Sequence, residues 1–205
     1  KHSEMQSIAA KISESRMGAI PEVNSFVNEN LAQLGMVNGR FDIELTHCQP
    51  NIKGCDRIEF IFSANKNQPL QPLEKIASGG ELSRIMLAIK NVLATKDDIE
   101  TLIFDEVDTG VSGRAAQKIG IKLKEVSKDR QVLCVTHLAQ IACFADTHFL
   151  ISKSESDNKT YTRVDSLDFD GRVKELSRII GGIESTQLSL DTAAEMIENF
   201  ILEID

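Results

Sequence analysis

Tryptophan is absent from this 205-residue chain, tyrosine occurs once, and no apolar run reaches the length that crosses a bilayer, which excludes a membrane-spanning helix as its organising element. The first residues, KHSEMQSIAAK, are polar and lack the apolar core of a signal peptide. They also lack an initiator methionine, so the chain is expected to have been cut from something longer. Cysteine is sparse: Cys48 and Cys55 are separated by six residues, and Cys134 and Cys143 by eight. Neither spacing matches a zinc knuckle or ribbon. A reduced cytoplasmic compartment fits better than paired disulfides, and Cys134, inside an apolar run, suits a buried free thiol. No H-E-x-x-H metal pattern and no G-x-S-x-G nucleophile elbow is present. Positive charge is also in deficit, with 23 Lys and Arg against 31 Asp and Glu, for a net charge of −8. That balance argues against the chain alone being a strong nucleic-acid binder, because phosphate contacts need clustered cations. A local basic patch stays possible.

What is present is ordinary for a globular protein: 41% apolar and 26% charged residues, enough for one good core or two small ones. Residues 1–34 carry helical spacing, interrupted at Gly18 and Pro21, and predict either a packed helical hairpin or the end of a coiled coil. FDIELTH (41–47) and RIEFIFS (57–63) alternate and predict an antiparallel pair around a loop with Pro and Gly. A polar, proline-bearing connection follows over 64–75. A helix is expected over 79–95, with Leu82, Ile85, Met86, Ile89 and Leu93 on its apolar face. From residue 99 the pattern turns α/β. Strands are expected at 101–104, 131–136 and 147–152, with a helix over 112–127 (Ala116, Ile119, Leu123 and Val126 inward) and a short helix after 136. Strand, helix and strand with short links predict parallel pairing. A polar hairpin turn at 154–159 leads into TYTRVDSL, and helices are expected at 172–180 and 186–203, parted by Gly181 and Gly182.

Three stretches carry chemistry. KIASGGELSRIMLAIK (75–90) begins its helix with two glycines, each costing up to about 1 kcal/mol against alanine in a helix. Ser78 and Glu81 form a capping box, which explains those two residues but leaves Gly79 and Gly80 unexplained. Glycines there leave backbone N–H groups bare, and a bare helix N-terminus binds anions. A structural cap and a phosphate site both remain open. TLIFDEVDTGVSG (101–113) ends an apolar strand in Asp105 and Glu106, with Asp108, Gly110 and Gly113 directly after. In open parallel sheets ligands sit at the carboxyl ends of strands. One acid there can hold Mg²⁺ and the next can orient a water, whereas a solvated charge pair is the plain alternative. VLCVTHL (132–138) runs a strand into Thr136 and His137, which the strand order puts beside the acid pair. His2, His47 and His148 have no such setting.

In this order the three stretches resemble the C-terminal half of an ABC-type ATPase head. SGGE resembles the signature motif, TLIFDE the Walker B strand, VDTGVSG the D-loop and TH the switch histidine. The residues after the acid pair are unlike those of transporters, and the blocks most closely resemble the RecN family of bacterial double-strand-break repair proteins, relatives of SMC proteins. The similarity covers most of residues 40–182. It implies an α/β fold: the C-terminal lobe of an ABC-type ATPase head, a mostly parallel sheet with flanking helices, plus an antiparallel strand pair and an N-terminal helical, coiled-coil stub. Residues 1–35 would end the arm and 36–205 form the lobe.

The resemblance further implies ATP and Mg²⁺ as cofactors. The partners it implies are a Walker A lobe of the same protein, a second head and, in the full-length protein, DNA. The setting is the bacterial cytoplasm at the nucleoid, without a membrane, in DNA damage repair and recombination. By the same resemblance, Ser78, Gly79, Gly80 and Glu81 meet the γ-phosphate held by another head, and Asp105 helps hold Mg²⁺. Glu106 polarises the attacking water, His137 contacts the γ-phosphate, and Asp108 communicates across the head dimer. No G-x-x-x-x-G-K-[ST] occurs in the chain, so the segment alone is expected to be inactive. Lys66 stands where the family leads one to expect an Asn-Pro-Gly-like turn. The alternatives are another SMC-like head acting in chromosome organisation, or a non-catalytic acidic interaction module.

Overall fold

A computed structural model describes residues 2–93, 99–156, 159–182 and 185–202. Residues 94–95 of the second expected helix, the tip 157–158 of the expected hairpin and residue 203 of the last expected helix lie outside these.

The chain opens with one helix, α1 (His2–Gln33), which runs unbroken through Gly18 and Pro21. The helical-hairpin expectation therefore gives way to a single rod. Gly18 and Pro21 both face solvent, while the residues before and after them are tied to the same strands. Ser13 and Arg16 reach the Asp56 carboxylate at 2.7 and 2.8 Å. Asn28 donates to the Phe41 carbonyl at 2.9 Å and accepts its N–H at 2.8 Å. A break at Pro21 would detach one of the two anchors. The helix stops at Gly35, whose φ of 83° lets Met36 N–H reach back to the Leu31 carbonyl at 2.9 Å.

Strands β1 (Arg40–Asn51) and β2 (Gly54–Ser63) pair antiparallel as expected, and reach further than the alternation alone indicated, with an irregularity between His47 and Asn51. A two-residue β3 (Gln71–Pro72) adds to β2 from within the polar connection. Helix α2 (Gly79–Val92) lies between α1 and α3 (Gly113–Val126). Strands β4 (Thr101–Phe104) and β5 (Gln131–Cys134) pair in parallel, from Thr101 opposite Gln131 to Phe104 opposite Cys134. After the short α4 (Ala139–Ala142), β6 (His148–Ser156) folds back antiparallel on β7 (Lys159–Leu167). The third strand expected beside β4 and β5 thus pairs instead with its neighbour in sequence. Its local hairpin takes that hydrogen-bonding edge, and among the described residues β4 and β5 pair only with each other. Helices α5 (Phe169–Gly181) and α6 (Gln187–Leu202) close the chain.

Two cores result. The larger joins Val27 and Leu31 of α1, Phe41 and Phe62 of the hairpin, Ile85 and Leu87 of α2, Leu102 and Phe104 of β4, and the inner face of α3. The smaller packs α4 against α5 and α6 through Phe144, Leu176 and Ile197. The inner face of α3 is the expected Ala116, Ile119, Leu123 and Val126, widened by Gly120. Helix α2 departs from its expected face: Met86 is exposed, while Arg84, Leu87 and Ala88 are buried with Ile85 and Ile89. Contact with helices on two sides widens its buried arc beyond one stripe.

Candidate functional site

Strand β4 delivers Asp105 and Glu106 to the surface, and both are exposed. The chain then reverses tightly. Glu106 has φ of 57°, the only positive φ outside glycine among the described residues, a left-handed conformation that costs about 1 kcal/mol or more for a side chain of this kind. The turn is held by Thr109 N–H on the Glu106 carbonyl at 3.1 Å, and Gly110 follows at φ of 73°. The reversal sends Val107 into the core and turns the next carboxylate, Asp108, inward, where it is 3% exposed.

The start of α2 sits against this turn. Ser78 caps the helix in an extended conformation and accepts the Glu81 N–H at 3.4 Å, the serine half of the expected capping box. Gly79 is exposed, and a Cβ there would run into the Glu106 carboxylate. Gly80 is buried, and a Cβ would come within 2.8 Å of Thr109 Cβ and 3.0 Å of the Glu106 carbonyl oxygen. The two glycines are therefore unlike. Gly80 is needed for close approach of helix and turn, whereas only Gly79 leaves a bare helix tip at the surface. The Glu106 carboxylate lies beside that tip, an anion where the helix dipole favours one.

Two residues that the sequence pattern did not single out lock the contact. Ser83 Oγ donates to the Asp105 carbonyl at 2.6 Å. Arg84 is 7% exposed, and its Nη1 donates to the carbonyls of Thr109 at 2.7 Å and Val107 at 3.4 Å. Burial lowers the guanidinium's affinity for its proton. The available signal was a cation in the run SRIMLAIK, one position before Ile85 and on the same side of the helix.

Beyond β5, Thr136 and His137 meet the inward carboxylate. Thr136 Oγ1 donates to Asp108 Oδ2 at 2.6 Å, the His137 N–H to the same oxygen at 2.9 Å, and His137 Nδ1 stands 3.0 Å from it. The imidazole itself is 73% exposed. The structure thus brings the helix start at Gly79 and Gly80, capped by Ser78, against Glu106, ties Ser83 of the same helix to the Asp105 carbonyl, and separately joins Asp108 to His137, with the 105–110 turn common to both. Burial, and then the negative charges of Asp108 and Asp105, push the nearby Cys134 thiol up to about 12. Among the described residues no group of three or more His, Cys, Asp and Glu could cage a metal. Mg²⁺ needs no such cage, since it is usually held by one or two carboxylates with water and substrate phosphates. The exposed carboxylate of Asp105 at a strand end suits that role, and the bare tip at Gly79 suits a phosphate.

No protein-family model matches the chain. Curated relatives do. It is 41% identical over 206 residues to the DNA repair protein RecN of Bacillus subtilis, covering 93% of this chain and 36% of that one. It is 42% identical over 197 residues to the RecN of Haemophilus influenzae, covering 95% and 35%. The chain therefore spans about a third of the length of the curated relatives it matches. Among solved structures, it is similar to the Smc head domain with a coiled coil and joint from Pyrococcus yayanosii, at TM-score 0.56 and 20% identity over 79% of this chain and 29% of that one. The Smc head domain from Pyrococcus furiosus bound to the C-terminal domain of ScpA gives 0.52 and 22%, over 77% and 37%.

Proposed function

Because this chain belongs to the RecN family of DNA repair proteins, we propose that it is the part of a RecN-type ATPase head that supplies the signature helix, the acidic strand end and the switch histidine. Its arm is α1, the end of a coiled coil. The phosphate-cradling loop comes from the portion of the polypeptide outside this chain. Two such heads close on ATP, and hydrolysis reopens them, coupling the cycle to DNA in double-strand-break repair and recombination in the bacterial cytoplasm.

ATP would supply the phosphoryl group that is transferred to water, and bound Mg²⁺ would supply neutralisation of the charge on the phosphates. The chain's own residues do the rest. Asp105, exposed just past the end of β4, would hold the metal ion. Glu106, held by its left-handed backbone at the rim of the turn, orients and polarises the water. Ser78 and Gly79 offer a hydroxyl and uncovered amides to the terminal phosphate of the opposite head, and Glu81 secures the cap. His137 presents its ring to the phosphate from the end of β5. The observation that carries this reading is the meeting of the exposed Gly79 tip with the Glu106 carboxylate at the carboxyl end of a parallel strand.

The test is ATP turnover by this chain joined to the rest of its polypeptide, with and without DNA. The expected result is DNA-stimulated turnover that Glu106→Gln abolishes while ATP-dependent dimerisation persists. Turnover indifferent to both Glu106→Gln and Ser78→Arg would point to an acidic interaction module instead.

A further inference from the structure

The carboxylate of Asp108 is closed off from solvent. At 3% exposure it cannot be reached without opening the 105–110 turn. It lies in the protein's interior with no lysine or arginine in ion-pair contact among the described residues; its one such contact is His137. A buried carboxylate is costly unless its oxygens are hydrogen-bonded. Here the Oδ2 oxygen takes the Thr136 hydroxyl and the His137 backbone N–H, with ring Nδ1 at 3.0 Å. An ionised carboxylate only accepts. A bare Nδ1 at that distance would set one lone pair against another, which favours the neutral imidazole with its proton on Nδ1. Nε2 is then left unprotonated on the exposed side of the ring.

We infer that Asp108 is a positioning residue for His137: it anchors the backbone where β5 ends and fixes the ring as the Nδ1–H form, with Nε2 presented to the site. Thr136 serves the same arrangement, since its hydroxyl also accepts the Leu138 N–H at 3.1 Å and fixes the course of the chain past His137. The neutral ring can then accept a hydrogen bond from water at Nε2, and the charged ring can donate one to a phosphate oxygen. This rests on the reading of His137 as the residue that meets the terminal phosphate. It gives Asp108 a role within its own head that does not depend on contact across a dimer.

The test reads the tautomer directly. In the complete polypeptide with ¹⁵N-labelled histidine, above the pH at which imidazoles titrate, the resonances lost in His137→Gln identify the ring. The expected form is Nδ1 protonated and Nε2 bare, giving way to Nε2–H in Asp108→Ala. In steady-state turnover Asp108→Ala is expected to lower kcat by about 10- to 100-fold, as loss of a histidine's orienting partner does. KM should stay within about twofold, because the loss falls on the chemical step. The effect should vanish in a His137→Ala background, where there is no ring left to position. Asp108→Asn, which keeps a neutral acceptor at the same place, should retain the Nδ1–H form and recover part of kcat, and it serves if the alanine variant does not fold. A parent ring protonated on Nε2 overturns the inference. So does an undiminished effect of Asp108→Ala in the His137→Ala background. The tautomer is read without ATP, so a parent that shows the Nδ1–H form but no turnover counts against the ATPase reading alone.

Discussion

Gly79 and Gly80 sit side by side in the sequence and do different work. Gly80→Ala forces a methyl group against Thr109 and the Glu106 backbone, which cannot swing aside as a side-chain end can. It should destabilise the fold by about 1–3 kcal/mol, the usual cost of overpacking, seen as a lowered Tm. Gly79→Ala meets only the mobile end of the Glu106 side chain. It should leave Tm nearly unchanged while lowering ATP turnover in the complete polypeptide. The thiols give a second prediction. Burial pushes Cys134 up to about 12 and Cys143 up to about 11. Both should therefore alkylate slowly at neutral pH, with rates still climbing beyond the ordinary thiol value of about 8.5, as mass spectrometry after iodoacetamide treatment would show. The sequence marked Ser78, Gly79 and Gly80 because two glycines open an amphipathic helix, and Glu106 and His137 because polar groups directly after apolar runs stand out. It could not distinguish the two glycines or single out Arg84, because what fixes them is a turn some 25 positions away.

Helix α1 depends on Asp56 for its grip on the hairpin. Hydrogen bonds from Ser13 and Arg16, with the positive charge of Arg16, hold this carboxyl below the usual carboxylate range. A lowered folded value means that the charged form is the one favoured by folding. The contribution is complete above the ordinary carboxylate value of about 3.9 and is lost as pH falls from there through the folded value. Asp56→Asn should thus lower Tm at neutral pH and flatten the acid-side decline, readable by thermal denaturation across that range. Helical periodicity was a dependable guide for α3, whose one buried face holds all four expected residues and adds only Gly120. It was less so for α2, held on two sides, and for α1. There, Gly18 and Pro21 argued for a break that the anchors on either side of them override.

The largest mismatch between pattern and packing lies in the β4–β5 pair. Its inner face is covered, yet Ile103 is 71% exposed and Leu133 and Val135 also face out. Parallel strands are normally covered on both faces, and about two thirds of the length of the curated relatives lies outside this chain. That missing portion is expected to cover the open face. Ile103→Asp should be tolerated in the isolated chain. In the joined protein it should cost more than about 2 kcal/mol, the scale for burying an unpaired charge, measured as the difference in denaturation midpoint.

Local order settled much of this protein in the sequence alone: where most of the helices and strands fall, the phase of α3, and the order of the three polar blocks. Those properties depend on neighbours within a few positions. Which strand joins which sheet, which glycine is closed and which open, and that Asp108 faces His137 and turns its back on solvent were decided only in three dimensions. The strand pairing follows from the local β6–β7 hairpin, and the placing of the glycines and of Asp108 from the left-handed backbone at Glu106, which reverses the chain and so reassigns inside and outside for the residues that follow it in the turn.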